Sequence, residues 1–141
     1  MSTSPSDFNA RVIEEFRANE GRVGGMFDGM PLLLLHHTGA RSGTSYVNPL
    51  AYQADGGRYV VFASKGGAPT NPAWYYNLTA SPDITIEVGT DTIPVHAAEA
   101  RGEERDRLYR TQAERHPAFA EYAQRTERVI PVIALTPVPS A

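Results

Sequence analysis

The hydrophobic positions in the first half of the chain form three apolar segments of strand length. They are 31–39 (PLLLLHHTG), 44–54 (TSYVNPLAYQA) and 57–64 (GRYVVFAS), and the turn sequences GARSG and DGG lie between them. Apolar runs of this length that are bounded by glycine-rich turns are typical of strands joined by hairpins. We therefore expect an antiparallel meander. Because Pro49 cannot donate to a strand ladder, its strand should lie at an edge or contain a bulge.

The second half adds three strand candidates. Segments 83–89 (DITIEVG) and 92–100 (TIPVHAAEA) meet at a turn, and 128–138 (RVIPVIALTPV) is the last apolar run. This gives about six antiparallel strands, which do not alternate with helices as they do in a doubly wound nucleotide-binding fold. The pattern indicates a mainly β (α+β) protein, built on a closed or nearly closed barrel with short helices on its outside.

The first helix is predicted over about residues 7–19 from its apolar positions, which are Phe8, Val12, Ile13 and Phe16. This apolar face could cover an active site, pack on the barrel or touch a membrane surface. The acidic residues of the helix and its lack of lysines disfavour attachment to anionic lipid, so we expect packing on the barrel. Weak peripheral membrane contact remains the alternative.

Two further segments have helical patterns. Segment 70–82 (TNPAWYYNLTASP) should begin with Asn71 as the cap and Pro72 at the first helical position. Pro117 should divide residues 102–127 into two short helices. We expect a single domain overall, in which residues 1–20 form a tail and helix and residues 21–141 form the barrel.

Composition narrows the class of protein. With 141 residues, 41% of them hydrophobic and 21% charged, the chain has the profile of one globular domain. Its formal charge of -3, without a basic cluster, argues against nucleic-acid binding. The chain has no cysteine, which excludes disulfides and thiolate chemistry. Its first residues do not form a secretory signal and its longest apolar run is too short to span a bilayer, so we expect a cytoplasmic protein.

The segment 61–78 (VFASKGGAPTNPAWYYNL) carries the strongest chemical pattern. Lys65 follows a strand and precedes two glycines, whose backbone N–H groups can approach an anion closely. The helix that starts near Pro72 adds the positive end of its dipole, so the segment could hold a phosphate. A solvated surface loop is the alternative. The consecutive Trp74, Tyr75 and Tyr76 spread over about 200° of a helix, so at least one should face a loop or cavity.

Other candidate groups are weaker. Arg41 stands at a turn between two glycines, where it could bind an anion or be solvated. His36 and His37 point to opposite faces of a strand and cannot share one metal ion, so we assign no metal site. The chain has no GxSxG elbow, Walker loop or GxGxxG fingerprint. If it is an enzyme, an organic cofactor should carry the difficult chemistry.

Three segments together resemble the deazaflavin-dependent nitroreductase family, the split β-barrel oxidoreductases that use coenzyme F420. They are TGARSG…VNPL, ASKGG…NPAWYYNL and TERVIPVIAL, and the resemblance runs from about Leu32 to Leu135. It implies a split β-barrel related to the FMN-binding proteins, in agreement with the strand pattern. Residues 21–141 would then be the deazaflavin-binding domain.

The resemblance also implies roles for individual residues. Lys65 would bind the phosphate of the coenzyme, and Arg41 with Ser42 and Gly43 would hold the phosphate or the acidic tail. The ring or tail would be bordered by Ala63, Ser64, Gly66, Asn48, Pro49 and Trp74. Members often carry two consecutive basic residues at the positions that are Ala40 and Arg41 in this chain. One charge contact to the acidic tail of the coenzyme should therefore be missing.

The activity implied is hydride transfer from reduced F420 to a small electron-poor acceptor, namely a quinone, an activated alkene or a nitro compound. Nitroimidazole-activating members have several tyrosines near the substrate, whereas here the positions read His116, Phe119 and Tyr122. His116 and Tyr122 are the candidate proton donors, with water as the alternative. Two other functions stay open: an oxidoreductase of the same fold that uses FMN, and a non-catalytic protein that binds the deazaflavin or a small ligand. The sequence does not indicate the oligomeric state.

Overall fold

The computed structural model describes residues 5–24, 31–64, 67, 70–127 and 129–138, with side chains described from residue 9 onward in the first helix. Within these ranges the chain forms four helices and seven strands. In chain order they are α1 (Pro5–Ala18), β1 (Leu32–Thr38), β2 (Ser45–Ala51), β3 (Gln53–Asp55), β4 (Arg58–Phe62), α2 (Ala73–Ala80), β5 (Asp83–Val88), β6 (Asp91–Ala100), α3 (Gly102–Arg115), α4 (Pro117–Arg125) and β7 (Val132–Pro137).

The described strands form one antiparallel sheet in the order β2-β1-β5-β6-β7-β4-β3. β2 and β3 lie at opposite ends of this order, although Tyr52 alone separates them along the chain. Because the chain passes from one edge to the other within one residue, the sheet must curl until its edges approach. The predicted barrel is therefore confirmed. There are seven strands instead of about six because the segment 44–54 is divided at Tyr52.

Pro49 lies in β2, which is an edge strand, as the sequence predicted. β2 pairs with β1 on one side, with Pro49 opposite Leu34. An edge strand has one side without ladder partners, so a residue without an N–H group does not interrupt a ladder on both sides.

The continuous leucine run of β1 is buried on both faces of the sheet. Leu33 and Leu35 belong to the core beneath α2, whereas Leu32 and Leu34 pack against α1. On α1, Val12 and Phe16 are buried in this second cluster. The predicted packing of the first helix on the barrel is confirmed for the described side chains, and Phe8 lies outside them. No helix in the described ranges has the length and apolar content needed to cross a bilayer.

Helices α3 and α4 cover another part of the sheet. Pro117 begins α4, and the helical segment is divided at this proline as the sequence predicted. Phe119 of α4 and Leu108 of α3 pack on Phe62 of β4 in one buried cluster. The predicted start of α2 is wrong by one position. Pro72 is the extended residue that precedes the helix, so the cap position falls on Pro72 instead of Asn71.

Candidate functional site

A cavity of about 920 Å³ opens between the start of α2 and the end of the β1–β2 hairpin. Its volume lies within the range of about 300–1,000 Å³ that is usual for small-molecule sites. The lining residues are His37, Gly39, Ala40, Arg41, Ser42, Tyr46, Asn48, Pro72, Ala73, Trp74, Tyr76 and Asn77. Four predicted cofactor-binding residues are thus together in one place, namely Arg41, Ser42, Asn48 and Trp74.

The β1–β2 turn forms one rim of the cavity. Gly43 N–H donates to the Gly39 carbonyl (2.9 Å), and Gly39 N–H donates to the Thr44 carbonyl (2.8 Å). Gly43 has a φ of 71°, a conformation that strongly favours glycine. This tight turn leaves Arg41 and Ser42 exposed at the cavity, so a guanidinium group is available to an anionic ligand there.

The start of α2 forms the opposite wall. Trp74 is 6% exposed and belongs to the core, whereas Tyr76 is 53% exposed and also lines the cavity. Tyr75 packs edge to face on Tyr76, with ring centroids 5.3 Å apart, and donates its hydroxyl to Glu99 Oε1 at 2.6 Å. The prediction that at least one of the three consecutive aromatic residues faces a loop or cavity is confirmed by Tyr76.

A buried polar network lies at the base of the cavity. His37 is 6% exposed, and its Nε2 lies 2.6 Å from Asn48 Oδ1 while its Nδ1 lies 3.0 Å from Asn77 Nδ2. The Ala40 N–H donates to Asn77 Oδ1 at 2.9 Å. Burial lowers the pKa of His37, against the opposing effect of the hydrogen bond to Asn48, so the imidazole is held in its neutral form at neutral pH.

Sequence reasoning gave no role to His37 or Asn77. It did place His36 and His37 on opposite faces, and the structure agrees, since His36 bonds to Glu87 on the α1 side. The signal that could have found the network is the hairpin register, because a turn at residues 39–43 places His37 opposite Tyr46 and diagonal to Asn48. Asn77 is 40 residues away from His37, and no local pattern indicates its contact.

Other predicted residues lie beside the cavity without lining it. Pro49 is half-buried and, as the neighbour of Asn48 on a strand, faces the other side of the sheet. Ala63 is fully buried, and its N–H donates to the Pro131 carbonyl. Ser64 is 9% exposed, and its carbonyl accepts from Gly67 N–H at 3.0 Å. Lys65 and Gly66, with the anion site predicted for them, lie outside the described residues.

The two predicted proton donors, His116 at the α3–α4 junction and Tyr122 within α4, do not line the cavity. His116 separates the two helices and lines a second cavity of about 370 Å³ together with Gln112 and Tyr52. The ring of Tyr122 packs on Phe119, with centroids 5.2 Å apart. The backbone of Tyr122 approaches Gly67, so α4 contacts the chain at this glycine.

Comparison with known proteins gives consistent matches. The sequence model of the F420H(2)-dependent quinone reductase family matches residues 10–137. An F420H(2)-dependent quinone reductase of Mycobacterium tuberculosis is 40% identical over 125 residues, which cover 86% of this chain and 84% of that protein. This confirms the resemblance to deazaflavin-dependent reductases that the three motifs indicated.

Solved structures give the same fold. A structure of an F420-H2 dependent reductase matches with a TM-score of 0.68 and 39% identity, covering 74% of this chain and 93% of that chain. A structure described as a domain-swapped dimer matches with a TM-score of 0.70 and 36% identity, covering 94% and 99%. A heme storage protein from Vibrio cholerae is similar in fold alone, with a TM-score of 0.61 and 17% identity over 99% and 93% of the two chains.

Proposed function

Because the chain belongs to the F420H(2)-dependent quinone reductase family, we propose that this oxidoreductase transfers a hydride from reduced F420 to a quinone in the cavity beside Trp74. The observation that carries the proposal is the cavity of about 920 Å³, which combines an aromatic wall with an exposed guanidinium group at its rim. A flat aromatic ring with an anionic tail requires both features.

The residues of the cavity fit the chemistry of such a cofactor. Trp74 and Tyr76 offer apolar surface for a fused ring, and Arg41 offers charge for a phosphate or a carboxylate tail. A Cβ atom built on Gly39 would lie 2.5 Å from Ser42 Oγ and 3.2 Å from the Tyr46 ring, so a larger residue at position 39 would displace side chains that line the cavity. Lys65 keeps the phosphate-binding role that the resemblance implies, and Gly66 keeps its implied place beside the ring or tail.

When bound, reduced F420 supplies a hydride, and the protein contributes binding and orientation. Trp74 and Tyr76 would hold the ring and exclude water from one side, and Arg41 and Ser42 would anchor the anionic tail. Asn48 would border the ring. Activated alkenes and nitro compounds are the further acceptors in this proposal, because they share with quinones an electron-poor site for a hydride.

Tyr122 and His116 remain the proposed proton donors for the reduced product. Tyr122 is supported by the approach of its backbone to Gly67, which is two positions after Lys65 in the sequence. Removal of a proton donor should lower the rate of turnover more than it weakens the binding of F420. Tyr122→Phe should therefore lower kcat for quinone reduction while the Kd of F420 stays within about twofold of the unaltered protein.

The proposal is tested by titrating the purified protein with F420 and following the emission of Trp74, which is the one tryptophan of the chain. Oxidation of reduced F420 is then measured with a panel of quinones, activated alkenes and nitro compounds. We expect saturable quenching of Trp74 and turnover with quinones. An absence of F420 binding, or copurification of a yellow flavin, would refute the cofactor assignment.

Arg41→Ala tests the anchoring group, and Arg110→Ala is the matched control, since Arg110 is an exposed arginine on α3. Loss of one exposed charge contact to the tail should raise the Kd of F420 by up to about fivefold. The control should leave the Kd unchanged. Equal effects of the two substitutions would show that Arg41 acts through net charge and does not contact the ligand.

A further inference from the structure

We propose that Ala40, Asn77, His37 and Asn48 form a one-way hydrogen-bond relay that makes the side-chain amide of Asn48 a fixed donor inside the 920 Å³ cavity. In this relay His37 and Asn77 are positioning residues, and Asn48 selects a ligand that presents a hydrogen-bond acceptor atom. The identity of the ligand rests on the proposed function, whereas the direction of the relay rests on the protein alone.

The relay begins at a group whose role is fixed. The backbone N–H of Ala40 can only donate, and it lies 2.9 Å from the side chain of Asn77. The oxygen of the Asn77 amide must therefore face Ala40, because the opposite orientation would bring two donors together. The NH₂ group of Asn77 then faces His37 Nδ1, at 3.0 Å.

The second step fixes the tautomer of His37. Since Asn77 donates to Nδ1, this ring nitrogen carries no proton, and a neutral imidazole must carry its proton on Nε2. Nε2–H donates to Asn48 Oδ1 at 2.6 Å. Tyr46 stacks on the His37 ring with centroids 5.5 Å apart and planes 24° apart, which restricts rotation of the imidazole.

The last step concerns the free end of the relay. Because Asn48 Oδ1 accepts from His37, its NH₂ group remains as the donor, and within the described residues no protein group accepts from it. Asn48 is half-buried and lines the cavity. An unsatisfied donor in a partly dry site favours a ligand that can accept a hydrogen bond and disfavours a ligand of the same shape that cannot.

The chemical class follows from this polarity. The matching group is a carbonyl oxygen, an anionic oxygen or an unprotonated ring nitrogen. Under the proposed function, two ligands carry such a group: the deazaflavin ring and the quinone. The same amide would discriminate against a ligand that presents an N–H or O–H donor at this position, because two donors would then meet.

The direction of the relay is tested without any ligand. In the unaltered protein, nitrogen NMR of the His37 ring at neutral pH should show Nδ1 unprotonated and Nε2 protonated. Asn77→Asp replaces the donor to Nδ1 by a carboxylate, which still accepts from Ala40, so Nδ1 should become protonated. Asn19→Asp adds the same charge at an exposed position of the chain and should leave the His37 signals unchanged. A protonated Nδ1 in neutral His37 of the unaltered protein would overturn the relay.

The selective role of Asn48 is tested by Asn48→Asp, which keeps an acceptor for His37 Nε2–H but removes the donor. The uncharged Asn48→Ala separates loss of the donor from the effect of added charge. Both variants should raise the Kd of F420 or the KM of the quinone about tenfold, the ratio expected when one hydrogen bond is lost. Asn48→Asp should retain the Nε2–H tautomer of His37.

The pattern of the change identifies the ligand group. A raised Kd for F420 assigns the acceptor atom to the deazaflavin, and a raised KM for the quinone at an unchanged Kd assigns it to the quinone. If both variants leave both constants unchanged, the selective role of Asn48 is refuted. If the unaltered protein binds no F420 and reduces no quinone, the proposed function fails, while the NMR result still decides the relay.

Discussion

Gly67 lies so close to α4 that a Cβ atom built on it would be 2.9 Å from the carbonyl oxygen of Tyr122. The same atom would lie 2.9 Å from Arg125 Cβ and 3.1 Å from Tyr122 Cα. Gly67 is therefore packed against the helix that carries a proposed proton donor. Lys65, two positions before Gly67 in the sequence, is the proposed phosphate ligand, and Tyr122 is a proposed proton donor. The contact at Gly67 therefore connects the segment for cofactor binding with the helix for proton transfer.

Gly67→Ala should destabilise the protein and weaken F420 binding. Gly67 has a φ of 82° and Gly57 a φ of 87°, so alanine meets similar backbone strain at both positions, about 1–2 kcal/mol. A Cβ on Gly57 meets no atom within 4 Å, which makes Gly57→Ala the matched control. Crowding should cost Gly67→Ala about 1–3 kcal/mol more in the free energy of unfolding, measured by denaturant titration. Equal losses in the two variants would show that the Gly67 contact is not tight.

Phe16→Ala should lower the free energy of unfolding by about 3–5 kcal/mol, because the side chain is 1% exposed and packs on Leu32 and Leu34. The exposed Arg11 on the same helix gives the control, Arg11→Ala, with an expected effect within about 0.5 kcal/mol. Denaturant titration measures both. If Phe16→Ala keeps full stability and instead reduces binding to lipid vesicles, α1 serves a membrane surface and not the core.

The apolar pattern was sufficient to predict six strand segments in their order along the chain, because β1, β4, β5, β6 and β7 all contain buried residues. Proline chemistry correctly placed Pro49 at a sheet edge and a helix boundary at Pro117. The break at Tyr52 was not predictable, because the apolar run Leu50-Ala51-Tyr52 continues through it without a turn residue. What divides the strand is closure of the barrel, which is a property of the whole sheet.

The candidate site was likewise predictable only in part. Arg41, Ser42, Asn48 and Trp74 were predicted from motif resemblance, and the structure brings them to one cavity, while their contact with a cofactor stays a prediction. His37 was missed because its partner Asn77 comes from α2, and only folding brings the two together. The hairpin register brings His37 near Asn48, but no local pattern indicates its contact with Asn77.

Glu87→Gln should reduce stability at neutral pH by at most about 1 kcal/mol, because Arg17 is half exposed and solvent screens the pair. Arg17 donates to both oxygens of the Glu87 carboxylate (3.2 and 2.7 Å), and His36 Nε2 lies 2.6 Å from one of them. The hydrogen bond from Arg17, helped by that from His36, lowers the pKa of Glu87 despite its burial.

A lowered folded-state pKa fixes the sign of the pH dependence. The contribution of Glu87 is fully present above its unfolded pKa of about 4.3 and is lost as the pH falls through the lower folded value. The difference in unfolding free energy between the unaltered protein and Glu87→Gln should therefore shrink in acid. Glu14→Gln, at an exposed position of α1, is the control for the loss of one carboxylate. A constant difference between pH 7 and pH 3 would contradict this reading.

Glu99→Gln should make the hydroxyl of Tyr75 more acidic. The hydrogen bond to Glu99 at 2.6 Å, together with burial and the carboxylate charge, raises the pKa of Tyr75 to about 12. Since the folded-state pKa is above the unfolded value of about 10, this contribution to stability is complete below about pH 10 and is lost as the pH rises through about 12.

Carbon NMR of the Tyr75 ring should show a lower ionisation midpoint in Glu99→Gln. Glu103→Gln, at an exposed position of α3, is the control, and an unchanged midpoint in Glu99→Gln would show that burial alone raises the pKa.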